Sequence, residues 1–129
     1  MDIIGSNTPA AAFRWDYELQ AEDKAKLERL LHAIDEFVAL DRDMPLQMLR
    51  AMLFVCIKEG VGPNELARRA GVSSTVMSRH LSDLGERNRY KEVGHELIEQ
   101  RIGEDRRYRV PYLTPKGIAF RNLLLRAMR

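Results

Sequence analysis

The sequence predicts a mainly helical domain interrupted by one short β-hairpin. Three observations carry that expectation: apolar residues spaced by three and four across 27–38, two short helices hinged at Gly71, and two extended runs separated by a polar turn at 103–107. The 129 residues, 45% hydrophobic and 31% charged, suit one soluble domain with a modest core.

Residues 1–12, with Gly5, Ser6, Asn7 and Pro9, read as a loose arm. From about Asp16 to Leu40 the positions Leu27, Leu30, Leu31, Ile34, Phe37 and Val38 lay one apolar stripe along a long helix whose other face is charged. Asp41-Arg42-Asp43 breaks the pattern, and Pro45 suits the first position of a second helix running to about Lys58. That helix is apolar almost all round, with Leu46, Met48, Leu49, Met52, Leu53, Val55, Cys56 and Ile57, which predicts a place in the middle of the domain. Glu59 to Gly62 ends it. The chain thus divides into residues 1–43, an arm and a long helix expected to dimerise, and residues 44–129, which hold the remaining elements.

Residues 63–84, PNELARRAGVSSTVMSRHLSDL, are the most informative stretch. Pro63 opens a short helix, Gly71 supplies a left-handed turn that would strain any other residue, and Ser73 starts and caps the next helix. Leu66 and Ala70 face inward, Ala67 permits close helix crossing, and Met77, Leu81 and Leu84 bury the second helix. Ser73, Ser74, Thr75, Ser78 and Arg79 are left on its outer face. Short hydroxyls and one long cation at a helix start suit a major groove, where Arg bridges guanine O6 and N7. The pattern is a helix-turn-helix, although an ordinary helical hairpin also fits it.

Residues 96–102 are rich in branched side chains, Gly103 to Arg107 form a polar turn, and Tyr108 to Leu113 return with alternating character. This is a β-hairpin in which Pro111 fits only if its strand lies at an edge or ends there. A hairpin directly after a helix-turn-helix is a wing, so the fold class is a winged helix-turn-helix with a long N-terminal helix. Arg106 and Arg107 at the wing tip suit DNA backbone or minor groove, with Asp105 holding one of them in a fixed pose; a solvated charged tip is the alternative. Charge division agrees with a polyanion partner. Residues 1–60 hold 7 basic and 11 acidic side chains, whereas residues 61–129 hold 14 and 8.

Asp105-Arg106-Arg107 followed by Leu113-Thr114-Pro115-Lys116-Gly117, together with Glu65-Leu66-Ala67 and the run from Val72 to Arg79, resembles the multiple-antibiotic-resistance-regulator (MarR-type) family of winged-helix transcription factors. The likeness covers about Met44 to Phe120. It implies a homodimer on a pseudo-palindromic operator, usually a repressor, with the helix after Ser73 reading the major groove and Asp105 pairing with a minor-groove Arg107. Thr114 fits as N-cap of the last helix, with Pro115 at its first position.

Two features depart from that pattern. Residues 85–94, GERNRYKEVG, lengthen the passage to the wing; Arg87, Arg89, Tyr90 and Lys91 either extend the helix along phosphates or lie in a solvated loop, and a stop at Gly85 favours the loop. The chain ends one helix after the wing, where the family continues with a further dimerisation helix. The helix from Asp16 to Leu40 is expected to replace that contact, pairing with its symmetry mate and with Ile118, Leu123, Leu124 and Leu125.

No catalytic arrangement is expected. His32, His80 and His95 lie in separate elements, no Ser/His/Asp or paired-carboxylate spacing is present, and no Cys/His spacing suggests a metal; no cofactor is implied. Cys56 reads as an inert core thiol rather than a redox sensor, and Met48, Met52 and Met77 as core rather than pocket lining, while a small-molecule effector stays open. With no bilayer-length apolar run and no secretory start, a cytoplasmic protein is expected, without a membrane partner. The leading reading is a dimeric, sequence-specific DNA-binding transcriptional regulator, a repressor by the family likeness. A phage or plasmid accessory protein acting at a replication or partition site, and a winged-helix module that docks a protein through its acidic N-terminal helix, are the alternatives.

Overall fold

The computed structural model describes residues 18–87 and 92–129. The expected loose arm, and Arg89, Tyr90 and Lys91, lie outside the described residues. The order is α1 (Ala21–Leu40), α2 (Leu46–Ile57), α3 (Pro63–Ala70), α4 (Ser74–Leu84), β1 (Ile98–Ile102), β2 (Arg109–Leu113) and α5 (Pro115–Ala127). The described residues form a winged helix-turn-helix: five helices and one two-stranded antiparallel sheet.

The long helix starts at Ala21, later than the expected Asp16. Gln20 is extended, and Glu22 and Asp23 occupy the first turn, where carboxylates favour the positive end of a helix. Only Phe37 of the apolar stripe is buried, meeting Phe120 of α5 edge to face at a centroid distance of 4.9 Å. Leu27, Leu30, Leu31, Ile34 and Val38 remain exposed, with Leu30 half accessible at 49%.

α2 begins one residue after Pro45, which caps it in an extended conformation. The expectation that this helix, apolar almost all round, lies in the middle of the domain is corrected: only one face is buried. Met48, Ala51, Met52 and Val55 form the buried face, packed toward α3, α4 and β2, whereas Leu46, Leu53 and Ile57 on the opposite side are exposed, Ile57 at 82%. The packing of α3, α4 and β2 on α2 leaves Leu46 and Ile57 on its second apolar face uncovered among the described residues. Arg50, on α2, donates from Nη1 to the carbonyl of Ala70 at 3.0 Å and fastens the end of α3. That carbonyl lies in the last turn, where intrahelical partners run out.

Leu66, Ala67 and Ala70 of α3 and Met77, Leu81 and Leu84 of α4 are buried as their spacing predicts. Gly71 joins the two helices at φ +72°, and its N–H reaches back to the carbonyls of Ala67 and Arg68. α4 stops at Leu84, so residues 85–87 do not extend it. Gly85 ends it in an extended rather than a left-handed conformation. The returning chain then caps the helix: the N–H groups of His95 and Leu97 donate to the carbonyls of Asp83 and Leu84, at 3.0 and 2.9 Å. An isolated antiparallel bridge pairs Arg87 with Val93.

The hairpin strands are shorter than expected, beginning at Ile98 and Arg109, with Ile98 opposite Leu113 and Ile102 opposite Arg109. Glu96, at φ +61°, turns the chain just ahead of β1. Pro111 sits at an edge, as it must. Its carbonyl accepts from the Gly60 N–H at 2.8 Å, and the Leu113 N–H donates to the Glu59 carboxylate at 2.8 Å, so the α2–α3 connection covers the free edge of β2. Thr114 caps α5 by accepting from the Gly117 N–H at 2.9 Å, with Pro115 in the first turn. One core runs from Phe37 through Met52, Met77 and Leu97 to Leu124.

Candidate nucleic-acid interface

Five side chains nominated from sequence lie at the exposed start of α4. Ser73 accepts from the Val76 N–H at 3.1 Å, which confirms its capping role and leaves its own proton free to donate outward. Ser74 donates to Oδ1 of Asn64 on α3 at 2.9 Å, so its remaining capacity is as an acceptor. Thr75, Ser78 and Arg79 are exposed and make no side-chain hydrogen bond among the described residues. Ser74, Thr75, Ser78 and Arg79 line one shallow depression on the helix surface.

The wing tip holds the other three. Arg107 donates from Nε to Oδ1 of Asp105 at 3.1 Å and from Nη2 to Oδ2 at 2.9 Å, a bidentate pair, and its backbone N–H also reaches Oδ1. These bonds hold the Asp105 carboxyl below the usual carboxylate range. The Arg107 guanidinium carbon stands 5.6 Å from the centre of the Tyr108 ring. Its side chain is nevertheless 80% exposed, a cation fixed in pose but open to a partner. Arg106 is exposed beside it.

The two groups are joined through α3. Asn64 is hydrogen-bonded to Ser74, and Asn64 and Glu65 share a groove of about 300 Å³ with Glu104 and Asp105. The start of α4, the outer face of α3 and the wing tip therefore form one continuous surface. Sequence reasoning missed Asn64 and Glu65. The Asn64–Ser74 contact is nonlocal and leaves no sequence signal, but the spacing of Glu65 to Arg68 and Arg69, three and four, is that of ion pairs on a helix.

Other candidates fall away from this surface. His32 is exposed on α1, and His95 contacts Asp41 at 3.2 Å, tying the chain before β1 to the end of α1. Cys56 is half-buried, and its thiol is pushed up to about 11, chiefly by desolvation, with Arg121 opposing and Glu59 adding to the shift. At neutral pH it is the protonated, unreactive form. Among the described residues no group of three His, Cys, Asp or Glu side chains could hold a metal ion, and no helix is long and apolar enough to cross a membrane.

No family model matches the sequence, and no curated protein matches it. Solved structures do match. A MarR-family transcriptional regulator from Silicibacter pomeroyi is similar at 24% identity and a TM-score of 0.54, over 84% of this chain and 66% of that one. A MepR-like protein complexed with pseudoligands is similar at 17% identity and 0.52, over 82% and 63%. A mutant S. aureus MepR bound to an oligodeoxyribonucleotide is similar at 17% identity and 0.58, over 84% and 76%. The chain spans about two thirds of the length of the first two. The path of the chain agrees with these neighbours: it has the MarR-type winged-helix fold.

Proposed function

We propose that this chain is a sequence-specific DNA-binding transcriptional regulator that works as a homodimer and represses. The observation that carries the reading is the continuous surface joining the start of α4 to the wing tip through Asn64 and Glu65, in a fold shared with an oligodeoxyribonucleotide-bound MepR. Residues 44–129 form the DNA-binding unit. The start of α4 enters the major groove, where Ser73 donates, Ser74 accepts, Thr75 and Ser78 meet base edges or phosphates, and Arg79 takes guanine O6 and N7. The wing then lies over the adjoining minor groove. Arg107, its pose already fixed by Asp105, enters without a further ordering cost, and Arg106 meets the backbone.

The homodimer reading rests on the exposed apolar stripe of α1 together with Ile118, Leu123 and Leu125 of α5, the helix against which α1 packs. Burying each half-exposed leucine in a symmetric interface contributes about 1 kcal/mol. Two copies then present two α4 helices to successive major grooves, which calls for a two-fold operator. Occupancy of such a site at a promoter excludes polymerase. A small-molecule effector bearing on that equilibrium is part of the proposal, motivated by the pseudoligand complex of the MepR-like neighbour.

Selection from random duplex DNA at moderate salt tests the function. The expected result is enrichment of one two-fold-symmetric motif, and recovery of no motif would overturn specific recognition.

A further inference from the structure

The outer face of α3 carries two cations that neither the recognition helix nor the wing includes. Glu65, in the first turn, accepts from Nε of Arg68 at 2.9 Å, from Nη2 of the same guanidinium, and from Nε of Arg69 at 2.7 Å. One carboxylate thus holds two guanidiniums, and the trio keeps one surplus positive charge. The two arginines hold the Glu65 carboxyl down to about 2, so the trio is fully ionised near neutral pH. Nη1 of Arg68 and both terminal nitrogens of Arg69 lie outside the Glu65 contacts. The side chains are 71% and 45% exposed.

Two independent contacts place this face beside the candidate interface. Asn64, one helical turn before Arg68, accepts from Ser74 at the start of α4. Glu65 and Asp105 border the same groove, so the clamp on Arg68 and Arg69 and the clamp on Arg107 stand on its two sides. The first helix of a helix-turn-helix crosses the DNA backbone, and a strand passing from a major groove under α4 to a minor groove under the wing runs past α3.

We propose that Arg68 and Arg69 form a second phosphate-contact site, held ready by Glu65, which grips the DNA backbone between the two grooves. The inference rests on the DNA-binding reading above. Cations in the last turn of a helix also complement its dipole and pair locally, but that role affects stability alone and releases no counterions on binding.

The test is the salt dependence of affinity for the selected duplex, measured with the full chain. Each arginine that neutralises a phosphate contributes about 0.9 to the slope of log K against log salt. The double variant Arg68→Gln/Arg69→Gln is expected to lose about 1.8 of that slope and to bind all sequences more weakly by one common factor, with base preference unchanged. Each single variant should lose about half as much, and Arg68→Lys/Arg69→Lys, which keeps both charges, should stay near the wild-type slope. An unchanged slope in the glutamine variants, or an equal loss in the lysine variant, overturns the α3 site. A wild-type chain that binds no duplex at low salt overturns the DNA-binding reading itself, so the two failures are distinct.

Discussion

Replacing Gly117 by alanine should be costly even though glycine is ordinarily the poorer helix former. A Cβ built there would stand 2.0 Å from the carbonyl oxygen of Leu97 and 3.2 Å from Cδ2 of Leu113. To reach ordinary contact in a close-packed interior, about 3.4 Å, the start of α5 would have to withdraw by about 1.4 Å. Three contacts constrain that withdrawal. The Gly117 N–H donates to Thr114, the Thr114 N–H donates to the same Leu97 carbonyl at 3.0 Å, and the Thr114 hydroxyl donates to the carbonyl of Glu96 at 2.7 Å. Overpacking with a backbone shift costs about 1–3 kcal/mol and a damaged N-cap about 1 kcal/mol, against a helix-propensity gain of at most about 1 kcal/mol. The net expectation is a loss of about 2–3 kcal/mol, which lowers Tm by roughly 6–12 °C for a chain of this length. Gly62→Ala is the matched control. Gly62, the N-cap of α3, has φ −64° and nothing within 4 Å of its would-be Cβ, so the gain from a stiffer unfolded chain and the loss of a favoured cap residue nearly cancel and alanine should change stability by less than about 1 kcal/mol. Paired thermal and urea melts read both variants. A Gly117→Ala protein as stable as wild type would refute the seating of α5 against the segment before β1.

Four further outcomes follow from the same contacts. Arg107→Ala should weaken DNA binding and reduce the salt slope by about one unit while leaving Tm within error, because its partner Asp105 is as exposed as other surface ion pairs; the measurement is anisotropy titration at several salt concentrations. Ser78→Ala and Arg79→Ala should alter base preference, by about 1–3 kcal/mol at the affected positions, in a repeated selection. Leu31→Glu, on the exposed stripe of α1, should convert a dimer to a monomer in native mass measurement while far-ultraviolet dichroism is retained. The Cys56 thiol should be alkylated slowly at neutral pH, with the rate rising toward pH 11; because its pKa is raised, the neutral thiol is the form favoured by folding, and that preference is lost only as pH climbs past its ordinary value near 9.

The local structure was legible wherever spacing and caps determine it. Gly71, Ser73, Thr114 and Pro115 do what their residue types predict, since each acts on backbone within four residues. The family-like string divides physically: Asp105 and Arg107 build an exposed clamp, whereas Leu113, Thr114 and Gly117 are structural, a core residue, a cap and a close approach. What sequence did not reveal depends on distant partners. The coverage of α2 is not legible because eight apolar residues say nothing about how many sides are covered, and Leu46 and Ile57 stand opposite the buried face. The start of α1 at Ala21 rather than Asp16 has no periodic signal, because the stripe begins only at Leu27. Asn64 carries no local signal because its partner lies ten residues on, across a turn, and Glu59 none because it reaches Leu113 fifty-four residues away.

The central claim is that the start of α4 and the wing tip meet adjacent grooves of one duplex. Hydroxyl-radical footprinting of the selected site, comparing wild type with Arg107→Ala, tests it most directly. The account predicts minor-groove protection flanking each half-site in wild type, lost in the variant while protection around the major-groove contact persists. Flanking protection that is absent in wild type, or unchanged in the variant, would contradict it.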